Sequence, residues 1–151
     1  MAYVDGFVLP VPRKNLRAYQ RMAQKAGRIW QEYGALEYRE CVGEDLDVKM
    51  GTPFPRQLGL KRGETVVFSW IVYRSRAHRD QVNAKVMKDP RIASMDPKGM
   101  PFDVNRMLYG GFETLVEIGR RRAAARVSRR AAREPKRNGH AEMIEPQPAA
   151  H

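Results

Sequence analysis

Four polar residues interrupt stretches that otherwise read as apolar β-strands. They are Asp5 in "AYVDGFVLPV", Glu40 in "ALEYRECVGED", Ser69 in "TVVFSWIVYRS" and Arg106 in "VNRMLYGGFETLVEI". A carboxylate on a buried face must be paired or hydrogen-bonded. The plain reading is an Asp–Arg or Glu–Arg pair across the sheet or a dimer interface, because buried charges are usually paired. The functional reading is a small polar pocket walled by Tyr3, Phe7, Phe68, Trp70 and Tyr109. Small-molecule sites combine apolar walls with a few polar groups. A carboxylate with a perturbed pKa in such a pocket could abstract a proton. The candidate pocket is therefore Asp5, Phe7, Glu40, Ser69, Trp70, Arg106 and Tyr109.

Other chemistries have less to stand on. A structural zinc site needs four N/S ligands, and residues 1–118 offer one cysteine, Cys41, and one histidine, His78. No metal and no cofactor are expected. Nucleophilic catalysis at Cys41 needs a base beside it. Glu40, its neighbour along a strand, points the opposite way. Arg39 shares the face of Cys41, but the plain reading is a buried free thiol. "YGGFE" and "MGTPFP" contain glycine, yet neither runs into a helix with a lysine, so no nucleotide P-loop is present.

These side chains must be positioned by regular elements, and the periodicity supplies them. Residues 2–11 read as a strand ending at a Pro-x-Pro pair. Leu16, Tyr19, Ala23, Ala26, Trp30 and Tyr33 recur at spacings of three and four, one face of a helix. Pro12 suits its start and Gly34 its stop. Residues 35–45 alternate as a second strand, with Leu36, Tyr38 and Val42 on one face and Glu37, Arg39 and Cys41 on the other. Residues 46–64 carry Gly and Pro without a period and read as a long loop. "TVVFSWIVYRS" (65–75) is apolar on both faces, which predicts a strand covered on both sides. Ser75 can cap a helix over "RAHRDQVNAKVMKD", which Pro90 ends. Residues 104–118 form a fourth predicted strand.

The order β-α-β-β-α-β is the ferredoxin-like pattern. It predicts an α+β fold, a four-stranded antiparallel sheet with two helices on one face. Two helices leave the other face bare, and a bare apolar sheet is larger than monomers usually expose. A homodimer with apposed sheets is the expected partner arrangement. Gly110 and Gly111 sit inside the last strand, and Gly6 in the first. Glycine in a strand marks a bulge or a close approach. A bulge or packing gap is the first reading here and a ligand slot the second.

Composition bounds the function classes. The chain has 151 residues, 42% of them hydrophobic, and a net charge of +11. Nine Lys+Arg and three Glu lie from Gly119 onward, so six of the eleven net charges fall in the last fifth. Residues 1–118 read as one domain and 119–151 as a basic, largely disordered tail. The tail arginines Arg120, Arg121, Arg122, Arg126, Arg129 and Arg130 could neutralise phosphates without reading sequence. No apolar run approaches the roughly 18 residues of a membrane span. The N-terminus lacks a basic n-region, and a single cysteine suits a reducing compartment, so a cytoplasmic protein with no membrane partner is expected.

Four phrases carry a family resemblance: "YVDGFV", "VPRKNLRAYQRMAQKAGRIWQEYGALEYRECVGED", "GETVVFSWIVYRSRAHRDQVNAKVMKDPRI" and "MPFDVNRMLYGGFE". In this order they resemble the domain-of-unknown-function 1428 family, the YbaA-like proteins, over nearly all of residues 2–117. That resemblance implies the dimeric α/β-barrel superfamily, with two ferredoxin-like subunits. It implies no catalytic residue, because the family brings no established activity. Together these readings favour a dimeric small-molecule-binding module, with cofactor-free catalysis as its extension. Two alternatives stand beside it: RNA or DNA association through the tail, and a structural or regulatory dimer.

Overall fold

A computed structural model describes residues 1–119 of the chain. The alternating stretches form four strands: β1 (Tyr3–Pro12), β2 (Glu37–Val42), β3 (Glu64–Tyr73) and β4 (Leu108–Glu113). The helices are α1 (Leu16–Glu32), α2 (Phe54–Leu58), α3 (Arg76–Lys88) and α4 (Pro90–Ala93). Helix α1 buries Tyr19, Ala23, Gly27 and Ile29, the stripe its apolar spacing requires. It stops at Gly34, whose φ of 114° a side chain would disfavour. Helix α3 starts where the Ser75 hydroxyl accepts from the backbone N–H of His78 at 3.1 Å.

The sheet order is β2-β3-β1-β4, all pairs antiparallel. This is the ferredoxin-like arrangement, with α2 and α4 added. Pro10 and Pro12 are tolerated in β1 because β4 pairs only as far as Val8; beyond that point β1 is an edge. Both long helices cover one face. Ile29 and Val82 pack there with Ile71 and Tyr73, and Tyr19 and Ala23 with Leu9 and Val67.

The opposite face is read from the register. One row across it is Phe112, Val4, Val72 and Glu37; the next is Gly110, Gly6, Trp70 and Arg39; the third is Leu108, Val8, Phe68 and Cys41. Phe68, Leu108 and Phe112 are 46%, 56% and 62% exposed, so this face is apolar and open in the single chain.

Three expectations are corrected. The loop over 46–64 contains α2, which begins after the N-cap residue Pro53 and stops at Gly59. The fourth strand is shorter than 104–118. The Asp103 carboxylate accepts from the N–H of Asn105 and closes a 3₁₀ turn at Val104–Arg106, which delays the strand to Leu108. No bulge exists at the paired glycines: β1 and β4 match residue for residue, with Gly6 opposite Gly110 and Asp5 opposite Gly111. The glycines are close approaches instead. A side chain at Gly111 would overlap the Tyr3 hydroxyl, and one at Gly6 would meet the Phe112 ring at 3.3 Å.

The tail positions Arg120, Arg121, Arg122, Arg126, Arg129 and Arg130 lie outside the described residues. Among the described residues, no helix is long and apolar enough to cross a membrane.

Candidate functional site

Strand register builds the floor of a cavity on the helix-covered face. One row runs Tyr109, Phe7, Ser69, Glu40; the next runs Gly111, Asp5, Ile71, Tyr38. Alternation with period two sends all of these side chains to the same side. Helices α1 and α3 and the segment after α4 roof the floor, leaving a cavity of about 450 Å³. Five of the chain's eight methionines line it: Met22, Met87, Met95, Met100 and Met107. Trp30 and Phe102 complete an apolar wall, and Phe7 stacks on Tyr109 at 4.8 Å between ring centroids.

Two carboxylates mark the ends of this floor. They stand two strands and one row apart, roughly 12 Å between Cα atoms from strand spacing and rise. Asp5 is buried against α3. Its Oδ1 accepts from Arg79 at 2.7 Å, and its Oδ2 faces the Asn83 amide at 3.4 Å. The Arg79 guanidinium also reaches Asp80 at 2.7 Å and lies 4.8 Å above the Tyr3 ring. Asn83 is oriented by two donors, since its Oδ1 accepts from Trp30 Nε1 and from the Tyr73 hydroxyl, both at 3.0 Å. Its amide nitrogen therefore turns toward Asp5.

Glu40 occupies the other end in a different environment. It accepts from the Tyr19 hydroxyl at 2.7 Å and the Tyr38 hydroxyl at 2.9 Å. Burial holds its carboxyl above the usual range, while hydrogen bonds from Tyr19, Tyr38 and Ser69 pull it part of the way back. Burial, and then the charge of Glu40, pushes both tyrosines well above the ordinary phenol value. Tyr38 reaches this position because Gly27 on α1 leaves room; a Cβ there would lie 2.6 Å from the ring. Tyr19, Tyr38 and Glu40 also border a second, open groove of about 620 Å³ along α1 and the free edge of β2.

Six of the seven residues expected in the pocket line this cavity: Asp5, Phe7, Glu40, Ser69, Trp70 and Tyr109. Arg106 does not, and the Trp70 indole has its polar partners elsewhere. Arg106 sits in the 3₁₀ turn and pairs with Glu64 at 2.6 Å, far from Asp5 along the sheet. Trp70 borders the cavity, but its indole stands on the outer face, where Nε1 donates to Glu37 at 3.2 Å and Arg39 lies 5.6 Å above the ring. Phe68 shares that outer face, and Tyr3 lies under Arg79 rather than walling the cavity. Cys41 is a half-buried free thiol on the outer face. His78 is buried at the start of α3, where its Nδ1 accepts from the Arg74 N–H at 3.0 Å.

Arg79 and Asn83 beside Asp5, and Tyr19 and Tyr38 beside Glu40, are absent from the sequence-based set. Arg79 and Asn83 stand four residues apart on α3, so they share a face. That spacing is visible in sequence, but their target on β1 is 74 and 78 residues away.

Residues 2–104 match the family described as "Protein of unknown function (DUF1428)". The chain belongs to this family. A DUF1428 relative, "Uncharacterized protein YbaA" of Escherichia coli K12, is 44% identical over 117 residues, covering 78% of this chain and 99% of the relative. The protein of that name in Shigella flexneri matches to the same extent. Among solved structures, an uncharacterized NIPSNAP domain protein from Burkholderia xenovorans superposes with a TM-score of 0.52 at 17% identity, over 78% of this chain and 99% of that one. At that identity the likeness speaks for the fold alone.

Proposed function

We propose that the chain is a small-molecule-binding protein whose site is the cavity between the sheet and its two long helices. The observation that carries this reading is the cavity itself: about 450 Å³, walled by methionines and aromatic rings, with Glu40 and Asp5 in its floor. Ligand sites are concave, mostly apolar and equipped with a few convergent polar groups. Methionine walls adapt to irregular apolar shapes. Glu40, held above the usual carboxyl range by burial, can also accept a proton from a bound compound, which is the route to cofactor-free catalysis. The apolar outer face favours a second copy of the chain as partner, sheet against sheet.

The test is a thermal-shift screen of the full chain against a metabolite library, repeated on Ala26→Trp, which fills the cavity from α1. A true ligand at one hundred times its Kd stabilises by about 2.7 kcal/mol. At least one compound is expected to raise Tm in the wild type and to lose its effect in Ala26→Trp. A library that protects neither chain, or both equally, overturns the reading.

A further inference from the structure

Each buried or half-buried carboxylate among the described residues, with one exception, has an arginine at hand. Asp5 has Arg79 at 2.7 Å, Glu64 has Arg106 at 2.6 Å, Asp89 has Arg91 at 2.9 Å and Glu37 has Arg39 at 3.4 Å. Glu40 is the exception. What faces it is hydroxyl only: Tyr19 from α1, Tyr38 from its own strand and Ser69 from β3. Hydroxyls solvate a carboxylate, but they do not cancel its charge. A half-buried anion without a counter-ion is costly, and the protein carries that cost in the lining of its cavity.

The rest of the lining has the same bias. Among the described residues, the cavity is bordered by two carboxylates and by no Lys, Arg or His. Arg79, behind Asp5, is already engaged with Asp5, Asp80 and the Tyr109 hydroxyl. An anionic ligand would find no cation to meet it. A cation would find Glu40, and around it aromatic faces that attract positive charge. Trp30 and Tyr38 lie 6.4 Å apart between centroids, and Phe102 meets Tyr19 edge-on at 5.6 Å. Beyond them the methionines would receive an apolar body.

We infer that the ligand of this cavity is an organic cation: an ammonium group on a flat apolar frame, its nitrogen seated against the Glu40 carboxylate. The inference rests on the cavity being the binding site, and it adds the chemical class.

Three probes of one shape separate the classes: tryptamine (cation), tryptophol (neutral) and indole-3-acetate (anion). Each is titrated calorimetrically into the full chain at pH 7, with Ala26→Trp as the control for binding elsewhere. Charged hydrogen bonds contribute about 1.5–3 kcal/mol, so tryptamine is expected to bind roughly 10- to 100-fold more tightly than tryptophol. Indole-3-acetate is expected to be weakest. In Glu40→Gln the preference for the amine should vanish, with the affinity for tryptophol little changed. If Glu40→Gln does not fold, the wild-type ratio of tryptamine to tryptophol decides alone. Tryptophol or indole-3-acetate binding as tightly as tryptamine overturns the cation class while leaving the cavity reading intact. So does an amine preference that survives Glu40→Gln. No heat from any probe also sinks the cation class, while the library screen still judges the cavity separately.

Discussion

Arg79→Met should destabilise the protein far more than Asp5→Asn, although the two residues form one ion pair. Their side chains are 14% and 2% exposed, so each loss falls in a different environment. Without Arg79, Asp5 keeps only neutral donors, including the Asn83 amide at a long 3.4 Å. Breaking a buried pair in this way costs about 3–5 kcal/mol. Without the Asp5 charge, Arg79 keeps Asp80 at 2.7 Å, the Tyr3 ring at 4.8 Å and a path to solvent. That loss is a hydrogen bond to a charged group, about 1.5–3 kcal/mol. At roughly 4 °C per kcal/mol for a unit of this size, the expected falls in Tm are about 12–20 °C and about 6–12 °C. Because both changes remove one interaction, the double variant should lose less than the sum. The assay is thermal and guanidinium unfolding of the four chains at pH 7. Equal losses for the two single changes would show that burial does not set the energy of this pair.

Gly111→Ala should cost about 1–3 kcal/mol, the usual range for overpacking, since its methyl group would overlap the Tyr3 hydroxyl. Adding Tyr3→Phe should return at least half of that loss in the same unfolding assay; no recovery would mean that the glycine is needed for another reason. Gly6→Ala should be nearly neutral, because it meets the exposed Phe112 ring at 3.3 Å and that ring can move. On the outer face, the wild type should sediment as a dimer at micromolar concentration, and Phe68→Lys with Leu108→Lys should drive it to monomer. A wild type that sediments as a monomer throughout would remove the second copy as the cover for that face.

Much of this architecture was legible because periodicity is a local property. β3 reads as apolar on both faces and is the strand with helices on one side and the open apolar face on the other. Asp5, Glu40 and Ser69 stand out as polar interruptions, and alternation alone puts them on one face once the strand register is known. The same alternation separates Phe68 from Ser69, so grouping the two in one pocket joined opposite faces of the sheet; Trp70 borders the cavity although its indole meets Glu37 and Arg39 on the outer face. Arg106 reads as part of a strand by composition; the Asp103 cap, a single side chain to backbone bond, takes it out. The partners of Asp5 are of another kind. Arg79 and Asn83 look like ordinary polar positions on a helix. Only the packing of α3 over β1 gives them a shared carboxylate, and no local pattern encodes that distance.

The paired glycines show how a local weakness in a strand becomes a positioning device. Gly110 and Gly111 point to opposite faces and serve different neighbours. Gly110, with Gly6 across from it, leaves a flat patch on the outer face over which the Phe112 ring folds at 3.3–3.5 Å. Gly111 faces the helices and makes room for the Tyr3 hydroxyl. The Tyr3 ring in turn lies under the Arg79 guanidinium, which holds the buried Asp5. The entropic cost of glycine in a strand thus supports a chain of contacts from the edge of the sheet to one end of the cavity. At the other end Gly27 performs the equivalent service for Tyr38 and Glu40. Both carboxylates are therefore set by close backbone approaches that a single methyl group would block, yet among the described residues only Asp5 is given a cation.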